Sequence, residues 1–441
     1  MVFLQSFFWF LVLIGVMILV HELGHFWAAR FFKVRVDVFS IGFGPRLFGF
    51  QRGDTDYRFS AILFGGYVKM AGEQMGEDHA DDPDGLMTKP RWQQLIIAFA
   101  GPFMNMVLAV GLLTGLYMVK YQKLADEDKG SVIGYVVPGS AADKAGLKAG
   151  DRIVRIDGKK DPNWEDINMK EVENSELPMS VAVVRSGKTI DTSVTPARDE
   201  KNGVGTAGWA PRTEIETGGV LPGYPADKAG IKRGDLLISA NGQPIESSYT
   251  LPAIIRGTNG KAVDLVYKRD NATHDVQIVP EYSKENGDPH WMIGVTVQEK
   301  LHFITTKLSF PDALAESINE NEKDATMIFE FLRGLVERRM GPQSLAGPFQ
   351  IAQMAGATAK QGSASFVDLM SMVSLNLAIF NLLPIPILDG GRIMLLLIEI
   401  LMGRALSRNV QETMLKIGFV FLMMVVVFVI YNDITNHLLR G

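Results

Sequence analysis

His21-Glu22-Leu23-Gly24-His25 has the residue types and spacing of a zinc hydrolase. On a helix, positions four apart share a face, so both imidazoles can bind one zinc ion. Glu22 then stands beside the metal, where it can act as general base on a water held there. Met1 to Val20, just ahead of the motif, carries no charge and is long enough to cross a bilayer as a helix. The chemistry is therefore expected in or against a membrane, and so is the bond it would cut.

Two histidines are one protein ligand short, because catalytic zinc sites use three and leave a fourth position open. The five other histidines, His79, His274, His290, His302 and His437, lie in polar segments read as far from any span. A carboxylate placed in a membrane segment costs roughly 2.5–3.5 kcal/mol even on insertion scales and is seldom there without a function. Asp389 fits, at the end of Asn381-Leu-Leu-Pro384-Ile-Pro386-Ile-Leu388-Asp389-Gly390-Gly391. Pro384 and Pro386 must break the helix, since each removes a backbone donor and clashes one turn back. Irregular backbone at membrane depth is tolerated only inside protein or around a water-filled cavity. A non-helical polar pocket is therefore expected around Asp389.

The elements that must hold these residues are four apolar spans. Besides the first, Trp92–Val119, Leu369–Leu388 and Ile417–Asn432 are uncharged, the last being short unless Lys416 snorkels. No Lys or Arg precedes Arg30, and nine lie from Arg30 to Arg91. The positive-inside rule then places residues 34–94 and 403–408 on the cytoplasmic side, with both termini and the long segment between the second and third spans outside. A signal peptide fits poorly, because the N-terminus has no basic start and no small-x-small cleavage site. The 441 residues carry a net charge of −5 and no cysteine, which excludes disulfides and thiolate metal sites. No basic patch points to nucleic acid.

The outer segment contains a repeat. Residues 138–151, PGSAADKAGLKAGD, and residues 222–235, PGYPADKAGIKRGD, are offset by 84 and identical at ten of fourteen positions. Each continues into an apolar strand and an Asp-Gly or Asn-Gly turn, a pattern that resembles a PDZ domain. Such modules bind extended peptide tails at a sheet edge. Peptide binding and steric filtering are both open for this pair. Residues 301–362 read as amphipathic helices at the outer membrane surface, with a solvated linker helix as the alternative.

Together, the membrane HELGH, the late NLLPIPILDG and the tandem PDZ pattern resemble the site-2 protease family of intramembrane zinc metalloproteases, over essentially the whole chain. That resemblance implies a polytopic α-helical membrane protein with four transmembrane helices and two tandem α+β PDZ domains between the second and third. Its segments would be 1–33 with HExxH, 34–94 with a re-entrant β-hairpin, 95–119, PDZ domains at 126–205 and 206–300, outer helices at 301–362, 363–402 with NxxPxxxLDG, and 409–432. It implies one zinc ion on His21, His25 and Asp389, with Glu22 as general base. Asn381 would steady the substrate backbone or the developing oxyanion, and Asn376 would contact the substrate strand. Pro384 and Pro386 would shape the pocket. Gly65, Gly66, Tyr67 and Val68 resemble the hairpin that pairs with an unwound substrate. The implied substrates are single-span proteins trimmed beforehand, an anti-sigma factor or remnant signal peptides, in a bacterial inner membrane with the PDZ domains in the periplasm.

Blander roles stay open for some residues. Asn376 and Asn381 could be hydrogen-bond glue between helices, and Tyr67 an interfacial anchor. A different class, a tandem-PDZ adaptor with a decayed site, would be expected to lose at least one of His21, Glu22, His25 and Asp389, and all four are present.

Overall fold

A computed structural model describes residues 2–73, 82–124, 130–199, 203–283, 289–340 and 347–438; His79 and Ala346 lie outside the described residues. Along the chain the helices are α1 (Val2–Phe31), α2 (Arg91–Val119), α3 (Ala141–Lys144), α4 (Trp164–Glu173), α5 (Pro225–Lys228), α6 (Thr250–Gly257), α7 (Phe310–Val336), α8 (Pro348–Gln361), α9 (Ser363–Asn381), α10 (Asp389–Met402) and α11 (Arg408–Leu438). The chain divides into two compact units. One comprises Met1–Tyr121, Lys307–Ile328 and Leu345–Leu439; the other is mainly Gln122–Thr306.

In the first unit, α1, α2, α9 and α11 are long and apolar enough to cross a membrane, in the four places read from the sequence. His437, expected far from any span, lies in the last turn of α11. Helices gain little from apolar contact when lipid surrounds them, so close approach and buried hydrogen bonds must join them. Gly24 of α1 provides the first: a Cβ there would lie 2.3 Å from the Ala100 carbonyl oxygen of α2. Ser371 and Ser374 of α9 provide the second, donating to the backbone carbonyls of Ala109 and Asn105 at 3.0 and 2.9 Å. Phe10, Leu13 and Met17 of α1 pack with Ala355 of α8 and with Phe366, Leu369 and Met370 of α9. The segment 301–362, expected as helices, begins with a strand at Phe303–Thr306. Its helix α8 lies against α1, where Gly356 lets the Ser6 side chain come close.

Between α1 and α2 lie strands β1 (Val36–Arg52) and β2 (Thr55–Met70). Both bend, so the ribbon folds back on itself. Val38–Ile41 pairs on one side with Gly66–Lys69 and on the other with Asp56–Phe59, while Gly49–Arg52 pairs with Thr55–Arg58. No other described strand joins this sheet, so Gly66–Val68 stands at its outer edge.

The second unit holds two similar β-domains, each with its own apolar core. In the second domain five strands run in the order Ala272–Ile278, Val263–Arg269, Leu236–Ala240, Glu214–Val220, Val295–Lys300, with Gln243–Pro244 beside Leu236–Ala240. The first domain separates the same elements into a four-stranded sheet and a pair, Ile133–Val136 with Trp209–Pro211. That pair moves the boundary between the repeats, expected at 205/206, to just after Pro211. The repeat also extends to an ion pair. Arg185 grips buried Asp151 at 2.6 and 2.7 Å and the Gly146 carbonyl at 2.7 Å. Arg269 grips buried Asp235 at 2.6 and 2.6 Å and the Gly230 carbonyl at 2.8 Å.

A candidate metal centre

The helix α1 continues through the motif, so His21 and His25 fall one turn apart, both buried. Their Nε2 atoms lie 3.2 Å from each other. The chain returns to this point after α9. Leu382–Leu388 is irregular, as the two prolines require, and α10 starts at Asp389 with Leu388 as its N-cap. Asp389 is thus the first residue of a helix and not part of the irregular stretch where it was expected. The turn is tight enough to need glycine: a Cβ on Gly390 would lie 2.2 Å from the Leu382 oxygen, and one on Gly391 2.1 Å from the Ile385 oxygen. The result brings Asp389 Oδ2 to 3.1 Å from His21 Nε2 and Oδ1 to 3.5 Å from His25 Nε2.

These separations fit a metal. Four ligands at roughly 2.0–2.2 Å from one zinc ion stand about 3.3–3.6 Å apart in a tetrahedron. Two neutral imidazoles and one carboxylate are a zinc donor set, and their ligand atoms all lie within 4.8 Å of one another.

The second span orients both rings, which the sequence reading missed. His25 Nδ1 donates to the Ile97 carbonyl at 2.8 Å, leaving Nε2 to face the other ligands. Gly101 makes room for that ring, since a Cβ there would stand 2.2 Å from His25 Nε2. Asn105, fully buried, places its Nδ2 3.2 Å from His21 Nδ1. The available signal was a lone asparagine in the middle of an uncharged span.

Glu22 is half-buried. The strand of β2 passes beside it: a Cβ on Gly66 would meet Ile18 at 2.9 Å and the Glu22 Cγ at 3.2 Å. Gly65 is pressed against the ring of Phe43, and Tyr67 stacks on that ring with centroids 6.1 Å apart. Val68 is buried in the core with Val36, Phe39 and Met70, so only its backbone is available at the edge. Asn376 and Asn381 are half-buried on α9, and neither side chain hydrogen-bonds to a described residue. The interhelical glue is supplied by Ser371 and Ser374 instead. Pro384 is exposed, whereas Pro386 packs near Gly418 of α11. Pro386 and Asp389 also line a cavity of about 860 Å³. Two ion pairs stand in its wall, Arg392 with Glu73 and Arg91 with Glu399, each at 2.6 Å.

Residues 9–425 match the family model for Peptidase family M50. A protein of Neisseria meningitidis named as a zinc metalloprotease is 31% identical, over 97% of this chain and 98% of its own. The regulator of sigma-E protease, RseP, of Escherichia coli is 29% identical over 98% of this chain and 99% of its own. A protein of Rhizobium meliloti, also named as a zinc metalloprotease, is 29% identical over 96% of this chain and 95% of its own.

Proposed function

The chain belongs to peptidase family M50 and is a zinc metalloprotease, and from that premise we propose that it cuts the transmembrane segments of single-span proteins inside the bilayer. One observation carries the reading: His21, His25 and Asp389 meet although each lies in or beside an apolar, membrane-length helix. One zinc ion held there supplies Lewis acidity and a water activated near neutral pH. Glu22 takes the proton of the attacking water and passes it to the leaving amine.

A membrane helix keeps its carbonyls in internal hydrogen bonds, so the target must unwind and find new partners. The outer edge at Gly66–Val68, beside Glu22, is suited to receive an extended strand. The unpartnered amides of Asn376 and Asn381 are in keeping with a hold on the substrate backbone and the developing oxyanion. The cavity beside Asp389 supports a route for water through protein.

The two β-domains read as tandem PDZ domains facing the periplasm of a bacterial inner membrane, with 34–94 and 403–408 on the cytoplasmic side. The first domain favours filtering over peptide binding. There α4 is closed against the segment 205–207: Glu171 accepts from the Ala207 amide at 2.5 Å, and Gly205 packs on the Glu171 carbonyl. At the corresponding place in the second domain stands Ile255. The relatives named as sigma-E regulator proteases support a membrane-anchored anti-sigma factor after an earlier cut as the substrate, with remnant signal peptides as a second class.

Replacing Glu22 with Gln in the full chain tests the mechanism. Cleavage of a trimmed single-span substrate is expected to stop while zinc content stays the same. Undiminished cleavage would sink the role of Glu22.

A further inference from the structure

We propose that Asn105 is a positioning residue for the metal centre, its side-chain amide selecting which nitrogen of His21 carries the proton. The inference rests on the zinc reading above and extends it to a residue of α2. Asn105 is fully buried, and its backbone carbonyl is held by Ser374 Oγ at 2.9 Å, which ties α2 to α9 at this level. Its Nδ2 faces His21 Nδ1 at 3.2 Å, while its Oδ1 is buried with no partner.

A neutral imidazole has one N–H and one lone pair. With Asn105 donating to Nδ1, the His21 proton must sit on Nε2. From there it can bridge to Asp389 Oδ2 at 3.1 Å or to His25 Nε2 at 3.2 Å. His21 can ligate through Nε2 only when the proton is on Nδ1, and Nδ1–H then needs an acceptor where α2 excludes water. A half-turn of the Asn105 amide brings Oδ1 to that place. The half-turn breaks no bond of Oδ1, which has no partner among the described residues. Asparagine can therefore meet His21 Nδ1 as a donor through its NH2 or as an acceptor through its C=O. His25 needs no such device, since the Ile97 carbonyl can only accept and fixes its proton on Nδ1.

Zinc affinity of the detergent-solubilised full chain, by chelator competition, tests this with Asn105→Leu and Asn105→Asp. Leucine has the size without the acceptor, and aspartate keeps the acceptor. The leucine variant is expected to bind zinc 10–100-fold more weakly, the range seen when such outer partners are lost. The aspartate variant is expected to stay within a few-fold of wild type. Equal affinity of wild type and the leucine variant would overturn the proposal. So would an aspartate variant as weak as the leucine one, because a mere packing role would be hurt at least as much by a buried charge. Should the leucine variant fail to fold, ¹⁵N-histidine NMR of the zinc-loaded wild type and Asn105→Ala decides: a His21 Nδ1–H that is downfield and slow to exchange in the wild type but loses both properties in the variant supports the assignment, and one unchanged between the two overturns it. A wild-type chain that takes up no zinc would instead overturn the metal reading itself.

Discussion

His21 Nε2 and Asp389 Oδ2 lie 3.1 Å apart across 368 residues of chain. Neither can be replaced locally, because one comes from an unbroken helix and the other from the first turn after a break. Asp389→Ala should therefore empty the site without unfolding the helices. Zinc stoichiometry is expected to fall well below one per chain, and proteolysis by at least about 10³-fold, as for loss of the ion that activates the water. Metal analysis after dialysis, beside a helicity measurement, checks both halves.

Gly101 should tolerate no side chain. The Cβ of alanine would press on His25 Nε2, and a displacement of about 1 Å at a catalytic group can cost roughly 10²-fold in rate. Gly101→Ala is expected to lower kcat by about that factor. Gly111, with nothing within 4 Å of its would-be Cβ, is the control on the same helix, and Gly111→Ala should leave kcat unchanged.

The paired arginines should act as latches of equal weight. Burial pushes Asp151 up, but its bonds to Arg185 outweigh that and hold the carboxyl below its ordinary range; Asp235 is held likewise by Arg269. Removing the cation leaves each buried carboxylate with only a backbone amide, Lys148 or Lys232, as partner, which costs up to about 3 kcal/mol. Arg185→Ala should destabilise the first domain and Arg269→Ala the second. Urea unfolding followed by hydrogen exchange of each domain would locate the loss, and a variant unchanged in stability would refute the assignment.

Glu171 predicts a pH dependence. Burial raises its pKa to about 7, against the pull of the Ala207 amide and Trp209. A carboxyl whose folded pKa lies above its unfolded value contributes most below the unfolded value, and the contribution fades as pH rises through the folded one. The first domain should therefore lose stability between about pH 4.5 and 7, by up to about 3 kcal/mol, and stay level above that. Glu171→Gln keeps an acceptor for Ala207 and should flatten the slope in a thermal melt series.

Much of the centre was legible because its signals are local. HELGH on a helix needs no partner to put both rings on one face, and Pro384, Pro386 and Asp389 break rules that apolar spans otherwise keep. What sequence could not supply depends on the rotation of one helix against another. Asn105 meets His21, and Ile97 meets His25, only because Gly24 and Gly101 let α1 and α2 approach closely. The doubled pairing of Val38–Ile41 was equally hidden, since the bends that allow it leave the strand pattern of each segment unchanged. The repeat boundary shifted for a related reason: Trp209–Pro211 belongs to the domain it closes, not to the one it precedes.

The outer edge of β2 beside Glu22 offers backbone more than side chains. Gly65 and Gly66 bring no side chain to it, and Val68 points its own into the core. Such an edge discriminates poorly among residues and well among shapes. As the proposed seat of an unwound strand, it would select ease of melting in a target: a Gly→Ala change within the target span should shield it by strengthening the helix by about 1 kcal/mol, with no contact to the enzyme altered. The specificity of this protease would then be a thermodynamic property of its victims.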